Sequence, residues 1–199
     1  MAISSYTELQ TAVGRWLQRN DLASMIPDFI ALAEAEFNRR LRASEMLVSG
    51  SVTIDDRLVD MPSRWLETRS VTITNSAGDR VRMEYATPEI AMNYTDSGTP
   101  QFYTIIGTQL GVAPPPDATY AGEMVYWEKL LPLASNPTNW LLDLYPDLYL
   151  YRSVYEGAVY TRDIQLAAGT KGMYEQVLSE VNTNDGRRQQ GVSMTIRAV

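Results

Sequence analysis

Carboxylate pairs are the first place to look for chemistry in this sequence, which holds three: Asp55-Asp56, Glu34 with Glu36, and Glu123 with Glu128. A glycosidase needs two carboxyl groups held across a cleft in contrasting environments, one protonated and one ionised. Asp55-Asp56-Arg57 falls between two alternating runs and reads as a hairpin turn, while Glu34 and Glu36 fall on a solvated helix face. No histidine can act as general base or metal ligand, and no cysteine as thiol nucleophile, zinc ligand or disulfide partner. The serines lie in no nucleophile elbow, and no glycine-rich phosphate loop occurs. The residues point away from catalysis, and no cofactor or metal is expected.

What remains is chemistry of contact. Five of the twelve tyrosines, Tyr145, Tyr149, Tyr151, Tyr155 and Tyr160, fall within sixteen residues. Tyrosine couples a large apolar ring to a hydroxyl that needs a partner, so it favours core edges and interfaces. Two readings stand: a buried helix whose hydroxyls reach its rim, or a subunit interface with Tyr149, Tyr151 and Tyr155 as its candidates. Only Arg152 and Arg162 interleave these rings, too few cations for a single-strand nucleic-acid platform. Trp65 and Trp127 could stack on a sugar if the surrounding segment folds as a carbohydrate- or protein-binding β module. Pro114-Pro115-Pro116 reads either as a polyproline ligand or as a rigid edge-strand terminator. After a helix stop at residues 182–186 the tail is first basic, with Arg187 and Arg188. It then alternates through Val192, Met194, Ile196 and Ala198, with Arg197 among them. Such a tail is either a frayed end or an arm added to a partner.

The elements that must position these residues are legible from period and punctuation. The chain has 199 residues, 45% hydrophobic, with 24 acidic and 17 basic side chains and a net charge of −7. That composition is globular and allows one sizeable core, or a core with a satellite. An acidic total argues against wrapping nucleic acid but suits a wall that DNA slides past without sticking. The N-terminal stretch lacks a basic segment followed by an apolar core, and no run approaches the ~20 apolar residues of a membrane span. A soluble protein folded in a reducing cytoplasm is expected.

Ser5 and Glu8 have capping-box spacing, and Leu9, Ala12, Val13, Trp16 and Leu17 follow on one helical face. A second helix starts at Pro27, carries the stripe Phe29, Ile30, Ala33, Phe37 and Leu41, and ends in an arginine cluster that suits its dipole. From Met46 to about Glu128 the period becomes two. Val71, Ile73 and Val81, Met83, Tyr85 flank the turn at 75–79. Phe102, Thr104, Ile106 and Leu110, Val112 flank a second turn at 107–109. Thr87-Pro88-Glu89 opens a short helix, and Met124, Tyr126 and Leu130 mark a last strand, giving a small antiparallel β sandwich or sheet. The helical period then returns: Thr138 caps a helix, Pro146 forces a restart, and the stretch to about Arg162 is apolar on most sides, hence buried. Gly169 to Gly172 reads as a loop before a final helix carrying Met173, Tyr174, Val177, Leu178 and Val181.

The expected class is therefore α+β: a discontinuous helical bundle from residues 1–45 and 131–185, an inserted small antiparallel β domain at 46–130, and an extended C-terminal arm at 186–199. Two terminal helices alone would bury too little surface, which argues that the ends pair. On particular residues the chain resembles head-to-tail adaptors of tailed bacteriophages. These are Tyr6-Thr7-Glu8-Leu9-Gln10 through Trp16 to Leu22, Ile26-Pro27-Asp28-Phe29 through Arg42, Pro62-Ser63-Arg64-Trp65, and Leu142 through Tyr151 with Tyr155-Glu156-Gly157-Ala158. Gly157 departs from the pattern, since alanine is expected there. The resemblance implies a structural virion protein at the head–tail interface, made in the host cytoplasm. It implies a ring of twelve copies docked on the portal protein, continuing the DNA channel without sequence-specific binding and carrying a tail or nozzle protein. It also implies that the arm, with Arg187, Arg188, Val192, Met194, Ile196 and Arg197, binds the portal. A free chain that is monomeric until it meets the portal is expected.

Overall fold

The computed structural model describes residues 3–190, except for the side chains of Asn20 and residues 184–190. The chain is α+β, with six α-helices and two four-stranded sheets among the described residues. It divides into two compact units, one of Met1–Glu45 with Leu130–Val199 and one of Met46–Lys129.

In the helical unit α1 spans Tyr6–Leu17, and the Ser5 hydroxyl accepts from the Glu8 backbone N–H as its spacing predicts. The Glu8 carboxylate reaches back one residue further than a simple capping box, to the Ser4 N–H at 2.8 Å. Leu9, Val13 and Leu17 are buried, whereas Trp16 stays largely exposed. Helix α2, Ile26–Arg40, buries the whole predicted stripe, with Leu41 just past its end. Asn139 caps the short α4, Trp140–Leu144, by accepting from Leu142 N–H at 3.0 Å; Thr138, expected in that role, binds Asp143 instead. Pro146 starts α5, which runs to Thr161, and Arg162 ends it in the left-handed region at φ 60°. Asp163 then caps α6, Ile164–Gln190, through Leu166 N–H.

Helix α6 corrects two expectations. Gly169 and Gly172 lie inside it and form no loop, and the stop expected at 182–186 does not end it. Each glycine costs about 1 kcal/mol in a helix interior. Contact with α5 and burial of Thr170, Tyr174, Leu178 and Val181 outweigh that cost.

Helix α5 is the centre of this unit, packing against α1, α2, α4 and α6. Gly157 lets α1 approach it: a Cβ there would stand 2.6 Å from Leu17 Cδ1 and 2.9 Å from Cδ2. The departure from alanine therefore has a packing cause.

In the β unit, β1 (Leu47–Ile54), β2 (Leu58–Asp60), β3 (Trp65–Thr74), β4 (Arg80–Arg82), β5 (Glu84–Tyr85), β6 (Phe102–Ile106), β7 (Gln109–Ala113) and β8 (Tyr120–Glu128) form two sheets, ordered β1-β8-β3-β4 and β2-β7-β6-β5. Ile54, Val71, Ile73, Met124 and Tyr126 from the first sheet share one core with Tyr103, Leu110 and Val112 from the second. Both expected hairpins form: Asn75 Oδ1 accepts from Ala77 and Asp79, and Gly78 and Gly107 take positive φ. Asp55-Asp56-Arg57, however, is no hairpin turn. It carries the chain from β1 in one sheet to β2 in the other, and the Arg57 carbonyl accepts from Val112 N–H. A second crossing occurs at buried Met83, so Tyr85 leaves the first hairpin and β5 pairs with β6 in parallel. The sheets are thus not wholly antiparallel. Helix α3, Pro88–Met92, lies in the crossover that a parallel pair requires.

The Gly157 contact is testable by a double-mutant cycle. Gly157→Ala should destabilise by overpacking and Leu17→Ala by leaving a cavity. Together they should cost less than their sum, by about 0.5–3 kcal/mol, in denaturant unfolding. Strict additivity would remove the packing role of Gly157.

Candidate functional site

The tyrosine-rich helix α5 sorts its three interface candidates into different environments. Tyr149 is fully buried, edge-on to Phe37 with ring centroids 4.9 Å apart. Its hydroxyl receives a bond from Asn139 Nδ2 at 2.8 Å and donates to Glu34 Oε1 at 3.3 Å. Asn139 Nδ2 also donates to the Leu131 carbonyl, and Glu34 Oε1 also accepts from Leu133 N–H, both at 2.8 Å. One carboxylate, one phenol and one amide therefore join α2, the 131–133 segment, the start of α4, and α5. Tyr149 is a core residue and offers no surface.

This overturns the placing of Glu34 on a solvated face. Glu34 is buried, while Glu36 nearby is ion-paired with Arg39 and Arg40. A signal for this exists in the row Ile26, Ile30, Glu34, spaced by four along α2, which lies on the buried side. Burial pushes the Glu34 carboxyl above its ordinary value, against the pull of the bonds from Leu133 N–H and Tyr149 O–H. Burial and the neighbouring Glu34 push the Tyr149 phenol far up as well, so it remains a protonated donor.

One turn along α5, Arg152 pairs with Glu156 and lies over two rings, 4.7 Å from the Tyr155 centroid and 5.3 Å from that of Tyr174. Arg40 approaches the Tyr174 ring too, at 5.7 Å, and binds both oxygens of Glu175 at 2.7 and 2.8 Å. Tyr174 is fully buried, and burial pushes its phenol up to about 12. Two arginines thus fasten α2, α5 and α6 through cation–π contacts and bidentate pairing. Tyr155 and Tyr151 are half-buried, the latter edge-on to Trp16 at 5.7 Å. Apolar exposure gathers where α5 turns into α6, around Val159, Tyr160 and Ile164.

The β unit does not leave its tryptophans as open platforms. Trp65 Nε1 donates to Thr68 Oγ1 at 2.9 Å, and the Arg69 guanidinium lies over the Trp127 ring at 5.5 Å. The two glutamates of its candidate pair are each in an ion pair: Glu123 with Arg80, and Glu128 with Arg64 at 3.3 Å. Arg187 and Arg188 fall on the last turns of α6, so the arm begins later than Gly186; their side chains, and the whole of Val192, Met194, Ile196 and Arg197, lie outside the described residues.

The helical unit thus binds its buried polar groups to one another and leaves apolar side chains exposed, among them Leu144, Val159, Tyr160 and Ile164. The model of the family described as SU10 adaptor protein matches residues 4–197, and the chain belongs to that family of phage head-to-tail adaptors. A search of curated proteins found no match. Among the described residues no helix is long and apolar enough to cross a membrane.

Glu34 yields a prediction with a definite sign. A carboxyl raised by folding contributes stability that is full below its unfolded value and is lost as pH rises through the folded one. Glu34→Gln keeps the Oε1 acceptor and removes the ionisation. Thermal melts should therefore show it gaining on the wild type from acid to neutral pH. Glu34→Ala, which strips Leu133 N–H of its acceptor, should cost about 1–3 kcal/mol at either pH.

Proposed function

We propose that this chain is a non-enzymatic head-to-tail adaptor that docks on the portal protein as a ring of twelve copies, continues the DNA channel and gives tail or nozzle proteins their attachment platform. The observation that carries this reading is the family match, which spans both helical ends and the β unit between them. The adaptor is a virion component made in the host cytoplasm. Its organisation is a discontinuous bundle of residues 1–45 and 131–190 holding an inserted β domain, 46–130, with an arm that follows α6.

Physical chemistry supports the reading from two sides. The sequence supplies no histidine or cysteine, and of its three carboxylate pairs Glu34 is held by Leu133 N–H and Tyr149 O–H while Glu36, Glu123 and Glu128 are ion-paired. A net charge of −7 lets DNA pass without the counterion release that would make it stick. The C-terminal sequence, basic at Arg187 and Arg188 on the end of α6 and then alternating, suits strand addition or insertion into the portal.

Deleting residues 187–199 should leave circular dichroism and melting of the remaining chain nearly unchanged while abolishing its capture by purified portal. Undiminished capture of the folded truncation would remove the arm from the portal contact.

A further inference from the structure

A closed ring needs two different patches on each subunit, and the helical unit carries a matched pair. The first is a groove of about 540 Å³ at the turn from α5 to α6. Its apolar lining includes Ala158, Val159, Ala167 and Ile164, the last 84% exposed. Arg162 and Lys171 also line it, and its acid, Asp163, is already engaged in capping α6. A site of this kind takes an apolar side chain flanked by carboxylates. The second patch has that composition: Leu144, 54% exposed at the end of α4, stands between Asp143 and Asp147 in the sequence. Among the described residues neither carboxylate is ion-paired; one accepts from Thr138 and the other from Leu148 N–H. Leu32 is as exposed, but Glu36, one of the two acids beside it on its helix, is neutralised by Arg39 and Arg40.

The two patches cannot meet within one chain. They lie at opposite ends of α5, whose sixteen residues hold those ends roughly 22 Å apart. A pair of complementary patches at different places on one subunit makes a heterologous contact, which repeats from copy to copy and closes into a ring when the rotation allows. We propose that adjacent copies join head to tail by seating Leu144 of one in the α5–α6 groove of the next, with Asp143 and Asp147 facing Arg162 and Lys171. This rests on the adaptor reading and names the ring contact within it. The contact is small, so it forms when the portal brings copies side by side.

The absence of native cysteine makes the test direct. The Leu144→Cys/Ile164→Cys chain, assembled on portal-bearing heads and oxidised, should give a ladder of disulfide-linked multimers. Leu32→Cys/Ile164→Cys should give none. Double-cysteine protein present on the heads without a ladder would overturn the contact and leave the adaptor reading standing. Wild-type chain that never joins the heads would overturn both. If the cysteine chain alone fails to join, Lys171→Glu decides: it should lower head occupancy at least tenfold, and adding Asp143→Lys should restore it. Failure of that restoration counts against the contact.

Discussion

A helix that is apolar on most of its sides must be covered on most of its sides, and α5 imposes that demand on the whole helical unit. Neither the N-terminal pair of helices nor the C-terminal pair could meet it alone, because each buries too little surface. The chain answers by packing α1 and α2 from its N-terminal part and α4 and α6 from its C-terminal part against α5. Gly157 sets how near α1 can come, and the Tyr149 hydroxyl fixes the register by reaching both Glu34 and Asn139.

Most of the unusual residues serve this arrangement. Burying Glu34 without a cationic partner costs desolvation, offset by two donors converging on one of its oxygens. The arginines of the α2–α5–α6 seam are held by carboxylates and by aromatic faces together, which restricts them more than exposed ion pairs would. A scaffold of this kind suits a protein whose work is to hold its surfaces steady while neighbours attach.

The elements with strong period and clear punctuation are legible in the amino-acid sequence itself: α1 with its Ser5 cap, the α2 stripe, the restart at Pro146 and both hairpins. The misreadings share a cause, in that tertiary context outweighs a local signal. Gly169, Gly172 and the polar run at 182–186 look like breaks, yet contact with α5 carries the helix through them. Asp55-Asp56-Arg57 has turn composition, but which sheet the next strand joins depends on partners far along the chain. The tyrosine cluster marks the helix at the centre of the unit but not which rings face inward. Glu34 escapes a reading by residue type because a lone acid on an apolar row is ordinarily solvated, and Asn139 because, beyond its local cap to Leu142 N–H, its bonds to Leu131 and Tyr149 are made only by the fold. The α5–α6 groove has no linear pattern at all, since it exists only where two helices meet.

Whether this protein assembles as a ring on the portal is decided by its mass in solution. Light scattering coupled to size exclusion, on the purified chain alone and mixed with portal, reports both states in one experiment. Ring assembly on the portal predicts single chains alone, and a portal complex heavier by twelve of them. A portal peak whose mass does not change at saturating chain would contradict it.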